Sequence, residues 1–133
     1  MSAALVCPTA TATAPTAPSN VTVSAANATA PAVITWKDNS NNETGFNIYD
    51  GTTLTGSVSG NIITFTDNLN CPAQNGHKYS VEAFNAGGKS AKAVSAALVC
   101  PVAAPTIPIA PSGVTISASS ATGPVTVNWK DNS

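Results

Sequence analysis

The chain is predicted to fold as an all-β, antiparallel sandwich of seven short strands, with parts of two neighbouring copies of the same unit at its ends. Three observations lead there. Apolar residues recur every second position in segments of about five to seven residues, and the helical period is never sustained. The composition favours strands and turns: 43% hydrophobic, 8% charged, with 9 glycines and 10 prolines in 133 residues. The chain also matches itself after a fixed shift. Ser2–Pro8 is identical to Ser95–Pro101, and Pro18–Ser40 aligns with Pro111–Ser133 without a gap at 14 of 23 positions.

That shift carries Trp36 onto Trp129, a period of 93 residues. It is too long for a solenoid unit of 20–50 residues and suits a whole domain repeated in tandem. The organisation follows. Residues 1–7 read as the last strand of a preceding repeat, 8–17 as a Pro/Thr/Ala linker, and 18–100 as a complete domain. Residues 101–110 read as a second, Pro-rich linker, and 111–133 as the first two strands of a following repeat. Met1 opens no secretory leader: there is no basic stretch, and the apolar segment returns inside the chain at Ser95–Pro101. The linkers PTATATAPTAP and PVAAPTIPIAP carry spaced prolines, which fix φ and favour stiff, extended spacers.

The strands of the complete domain follow in order. Asn20–Ser24 places Val21 and Val23 on one face. Ala32–Lys37 turns Ile34 and Trp36 inward, a parity the second copy repeats with Val125, Val127 and Trp129. The polar segment DNSNNETG (Asp38–Gly45) leads into a strand with Phe46 and Ile48 inward. Asp50-Gly51 is a hairpin signal, followed by a weak strand at Thr53–Val58. Asn61–Thr66 is expected to bury Ile63 and Phe65, with Leu69 closing the corner after it. His77–Phe84 buries Tyr79, Val81 and Ala83. After the turn NAGGK, Ser90–Cys100 forms the last strand with Val94, Ala96 and Leu98 on one face. The expected core is therefore Trp36, Phe46, Ile48, Phe65, Leu69, Tyr79 and Val81.

The segments ITWKDNSNNETGFNIYDG, ITFTDNLN and KYSVEAFNAGGKS together resemble a bacterial-type fibronectin type III domain. The likeness runs from Pro18 to Cys100. It matches the family's tryptophan at Trp36, its tyrosine at Tyr79, and an Ala-x-Asn-x-x-Gly-x-Ser signature at Ala83, Asn85, Gly88 and Ser90. The resemblance implies an immunoglobulin-like sandwich in which the turn after the fifth strand and the end of the seventh share a pole. It thereby implies a Cys71–Cys100 disulfide. Cys7, the counterpart of Cys100 in a preceding repeat, is left unpaired or joined to another chain. Most members of the family have no cysteines at these places. Three buried thiols are the alternative, since disulfides require an oxidising compartment.

The chemistry of the sequence excludes more than it assigns. Five lysines and six acids give a net charge of −1, which leaves no basic surface for nucleic acid. No apolar run reaches the ~20 residues needed to insert in a membrane as a helix. His77 has no paired nucleophile, and three scattered cysteines contain no C-x-x-C pair for zinc. DNSNNE lacks the glycine and spaced acids of a calcium loop. No catalytic, cofactor or metal site is therefore expected, and the chain is read as a non-enzyme. Tyr49 and Phe84 fall on the outward parity and form a candidate contact patch.

Two functions remain. One is a structural module of a tandem-repeat extracellular or cell-surface protein, self-associating into a rod or filament. The other is an adhesin stalk, or the spacer of a secreted carbohydrate-active enzyme that touches a polysaccharide or surface ligand. No sequence motif supports such a ligand.

Overall fold

The computed structural model describes residues 10–133, all strand, turn and irregular segments. The described chain divides into two compact units, one ending at Ala103 and one beginning at Ala104. The readings made for residues 1–7, Cys7 included, lie outside the described residues.

The first unit is a sandwich of two antiparallel sheets. One sheet orders β1 (Ser19–Ser24), β2 (Pro31–Lys37) and β5 (Thr64–Asn70) as β1-β2-β5. The other orders β4 (Thr53–Ser59), β3 (Gly45–Asp50), β6 (Tyr79–Asn85) and β7 (Gly88–Lys89) as β4-β3-β6-β7, and β8 (Ala93–Val94) also pairs with β6. The arrangement follows from alternation. Val21, Ile34 and Trp36 of the first sheet and Phe46, Ile48, Tyr79, Val81 and Ala83 of the second point into one shared core. Trp36 and Phe46 meet across it, ring centroids 5.4 Å apart and tilted by 58°, within the centroid range of favourable aromatic pairs. Phe65 packs against this core from its margin.

Two strands depart from simple alternation. β5 begins at Thr64, after the position expected for it, so Ile63 is half exposed rather than inward. The strand then runs on to Asn70 through a bulge. Thr66 pairs with Val33 and Asn70 with Pro31, so Asp67, Asn68 and Leu69 together face only Ala32. The bulge turns Leu69 away from the inward face that Phe65 and Asp67 share. Asp67 turns inward, its carboxylate accepting a bond from the Leu69 amide, and Leu69 is 54% exposed. Leu69 is therefore not a core residue. A polar group fills the corner instead: Tyr79 donates to Asp67 Oδ2 at 2.9 Å, and the buried Gln74 donates to the Tyr79 hydroxyl at 2.7 Å. Gln74 Oε1 accepts from the Ala32 amide at 3.3 Å, which supplies a partner to a buried N–H opposite the bulge.

The seventh strand is the second departure. It is not one strand from Ser90 to Cys100 but two short pairings, β7 and β8, followed by irregular chain. Val94 and Ala96 face outward, while Ser95 and Leu98 are buried. Ser95 and Leu98 are three residues apart, a spacing that a regular strand cannot place on one face. Ser95 Oγ accepts from the Tyr79 amide and Leu98 N donates to His77 O, so side-chain and main-chain bonds replace a regular ladder.

The second unit contains β9 (Ser112–Ala118) and β10 (Val125–Lys130), an antiparallel hairpin. Its apolar parity matches β1–β2, yet within this unit nothing covers that face. Trp129, whose parity predicts burial, is 62% exposed, and Ile116 and Val127 are exposed with it.

These placements separate two substitutions that sequence parity treats alike. Phe46→Ala removes a fully buried ring and is expected to cost about 3–5 kcal/mol. Leu69→Ala is expected to stay within about 0.5 kcal/mol. Guanidinium denaturation of the two variants measures both.

Candidate functional site

Four regions bring chemically distinctive residues together, three in the first unit and one that each unit carries. The first is the covalent pole. Cys71 follows β5 and Cys100 lies past the irregular seventh strand, and their sulfurs are bonded with the Cα atoms 5.7 Å apart. The Cys71 amide donates to Ala30 O, and Cys100 N donates to Asn75 Oδ1 at 3.0 Å, so hydrogen bonds hold both ends of the bridge in place. Beside it lies a shallow cleft of about 400 Å³ whose lining includes Thr29, Pro72, Asn75, Cys100 and Val102. Asn75, the one amide among these, already spends its oxygen on Cys100.

The second region is the outer face of the β3–β6 sheet. Glu82 points away from the core yet is buried. Its Oε1 accepts from Tyr49 at 2.7 Å, Lys89 Nζ at 2.9 Å and Asn47 Nδ2 at 3.1 Å, and Ser57 donates to Asn47 Oδ1. Burial alone would raise the Glu82 pKa. The hydrogen bonds from Lys89, Asn47 and Tyr49, with the lysine charge, outweigh it and hold the carboxylate at about 2. Tyr49 is thus committed through its hydroxyl, and Lys92 Nζ sits 3.3 Å above its ring centroid, a cation–π contact. Phe84 is half-buried and lies against Gly45, where a Cβ would meet its ring. The pair expected as a contact patch therefore has one ring face covered by lysine and the other ring partly packed on backbone.

The third region is the loop from Asp38 to Gly45. Asp38 Oδ1 accepts the Ser40 amide, and Ser40 donates to Asn42 Oδ1. Such bonds brace a turn from within. Among the described residues no group of three or more His, Cys, Asp or Glu side chains is placed to hold a metal ion. His77 Nδ1 lies 2.7 Å from Asp50 Oδ2 at the β3–β4 end of the sheet, with no nucleophile in the pair. Inside the core, burial first and then the Asp67 bond and charge push the Tyr79 phenol well above its ordinary pKa. It stays neutral and acts as a hydrogen-bond donor.

The fourth region occurs twice. Asn39 Nδ2 donates to Ala17 O at 3.0 Å and to Ser19 Oγ at 2.9 Å. Asn132 Nδ2 donates to Ala110 O at 3.0 Å and to Ser112 Oγ at 2.9 Å. The strand these amides pin carries the same bulge in both copies. Ser19 and Thr22 face Lys37 and Thr35, and Ser112 and Thr115 face Lys130 and Asn128. The extra residue sits at positive φ in each case, 52° at Asn20 and 62° at Gly113. Glycine and asparagine are the residues that most readily adopt that conformation, which explains why this position changes between copies only from one to the other.

Sequence reasoning did not single out Glu82 or these amides. The signal for Glu82 was a lone acid in the middle of a strand otherwise buried. The signal for Asn39 and Asn132 was their identity in two copies of WKDNS.

No family model matches the sequence. No curated protein matches it either. Among solved structures, the chain is similar to a crystal structure of domains from titin at 19% identity, with a TM-score of 0.49, over 64% of this chain and 32% of that one.

Two measurements probe these regions. In the chain-entropy model, a bridge between positions 29 apart contributes about 3–4 kcal/mol. The Cys71→Ser, Cys100→Ser double variant is expected to lose about that much in denaturant unfolding. The depressed pKa of Glu82 contributes stability that is present above its unfolded value and lost as pH falls toward about 2. Unfolding free energy is thus expected to fall between roughly pH 5 and pH 2, and Glu82→Gln should flatten that slope. Urea titrations across this pH range read it directly.

Proposed function

We propose that this chain is a section of an extracellular or cell-surface protein assembled from tandem fibronectin type III-like sandwiches, and that its work is mechanical: a rod or filament. One observation carries the reading. The same bulged hairpin, with a positive-φ residue at the same place and the same asparagine tie to the preceding chain, begins at two points 93 residues apart. A single domain needs one such start; a chain with two supports an array.

Other features fit this role. The disulfide suits an oxidising environment. Charge is sparse, at 8%, so repulsion between neighbouring chains is weak and lateral packing is tolerated. The buried and braced polar groups stabilise the sandwich without offering a reactive centre. A spacer or adhesin-stalk role would draw on an open aromatic surface, and Tyr49 is capped by Lys92.

Electron microscopy of protein purified without reductant tests the filament. Regular fibres with a repeat near one domain length, roughly 35–45 Å, are the expected outcome. Separate monomeric particles at every concentration would overturn it.

A further inference from the structure

We propose that Asn42, Asn85 and Gly87 form a docking site for the main chain of the linker that precedes the domain, so that hydrogen bonds, and not proline stiffness alone, set the direction in which the chain enters the sandwich. The consequence for successive repeats rests on the tandem reading above. The docking itself is a property of this chain.

Three features build the site. The Thr13 carbonyl accepts from Asn85 Nδ2 at 2.8 Å and from Asn42 Nδ2 at 3.2 Å. Asn85 is itself held in place, since its Nδ2 also donates to Asn42 O at 3.0 Å and its Oδ1 accepts the Gly87 amide at 2.7 Å. One side chain thus ties together the linker, the Asp38–Gly45 loop and the turn after β6. Gly87 supplies the room. A Cβ there would fall on the main-chain carbonyl of Ala12, with the Thr13 main chain also in the way. Backbone cannot yield as the end of a flexible side chain can, so the approach requires glycine.

The site reads backbone rather than side chains. The side chains of Ala12, Thr13 and Ala14 are exposed, whereas Pro15 and Pro18, which follow, are buried. A ligand recognised in this way needs an extended main chain and prolines to seat it. The second linker keeps part of that pattern after the 93-residue shift. Thr13 and Pro15 recur as Thr106 and Pro108, while Ala12 and Ala14 become Pro105 and Ile107. Variation at outward positions and retention of the Thr-x-Pro frame is what backbone recognition permits. The counterparts of Asn42, Asn85 and Gly87 for this second linker would fall beyond Ser133, so in a polypeptide limited to these residues the second linker serves as the undocked comparison.

Backbone ¹⁵N relaxation of the 133-residue chain tests the proposal. The amides of Thr13, Ala14 and Thr16 are expected to show order parameters near the ~0.85 of rigid backbone, and those of Thr106 and Ile107 to fall below about 0.6. Gly87→Val should bring the first linker down to the values of the second while β6 amides stay rigid. Asn42→Ala, which alters no buried side chain, should lower them part of the way and keeps the test valid if Gly87→Val does not fold. A first linker as mobile as the second in the unaltered chain, or one that stays rigid in both variants, overturns the docking site. Fibres with a mobile first linker would leave the filament standing and remove the docking. Monomers with a rigid one would do the reverse.

Discussion

The sandwich depends on β6 being buried on both faces. Its inner residues, Tyr79, Val81 and Ala83, are fully enclosed, and its outer residues, Ser80 and Glu82, are buried as well. A strand in that position pairs with β3 on one side and with β7 and β8 on the other, so it links the most regular part of the sheet to the least regular strand. The cost of burying Glu82 is met by three donors at once. Two of them, Asn47 and Tyr49, come from β3, so the carboxylate fastens the two strands together on the face opposite the core. Tyr79 does the equivalent inside, where its hydroxyl ties the strand to Asp67 of the other sheet. One strand is thus held by apolar packing on one side and polar bonds on both.

This arrangement explains how much of the fold could be read from sequence. Where a strand faces core on one side and solvent on the other, as β2 does, alternation gives the parity directly: Ile34 and Trp36 in, Thr35 and Lys37 out. The reading weakens where a polar group takes an apolar place. Nothing in TFTDNLN tells Asp67 from Leu69 as the inward residue. That choice depends on Tyr79 and Gln74, which are distant in sequence and supply the partners that make Asp67 tolerable in the interior. The seventh strand misled for a related reason. Its Val, Ala and Leu residues suit a regular strand, but Ser95 turns in to satisfy the Tyr79 amide and shifts the frame before Leu98. The candidate contact residues were legible only as positions. That Tyr49 faces outward follows from parity, whereas the lysine over its ring comes from a segment more than forty residues away.

The two copies of the opening hairpin separate local from long-range causes. Both contain the same bulge, a positive-φ residue at the same place and the same asparagine tie, although only the first has a second sheet packed on it. The bulge and the tie are therefore written in the hairpin's own residues. Burial is not: Trp36 is enclosed while Trp129, followed by the same KDNS, is exposed. A domain of this kind brings a preformed start and needs the rest of its strands to bury it.

That division also bears on what the proposed low-charge array would require. With few charges to keep neighbours apart, exposed apolar strands and open edges are prone to pair indiscriminately. Order then has to come from elements that fix geometry before such contacts form. The asparagine ties meet this need at the start of each copy, because they join the chain before the first strand and that strand's first serine to the asparagine that follows the hairpin. The covalent closure ties the end of the domain's sequence, at Cys100, back to Cys71. Between them they fix where the chain enters and leaves the sandwich by local bonds. The apolar core is left to hold the two sheets together, and the aromatic and aliphatic side chains that meet between them are enough for that.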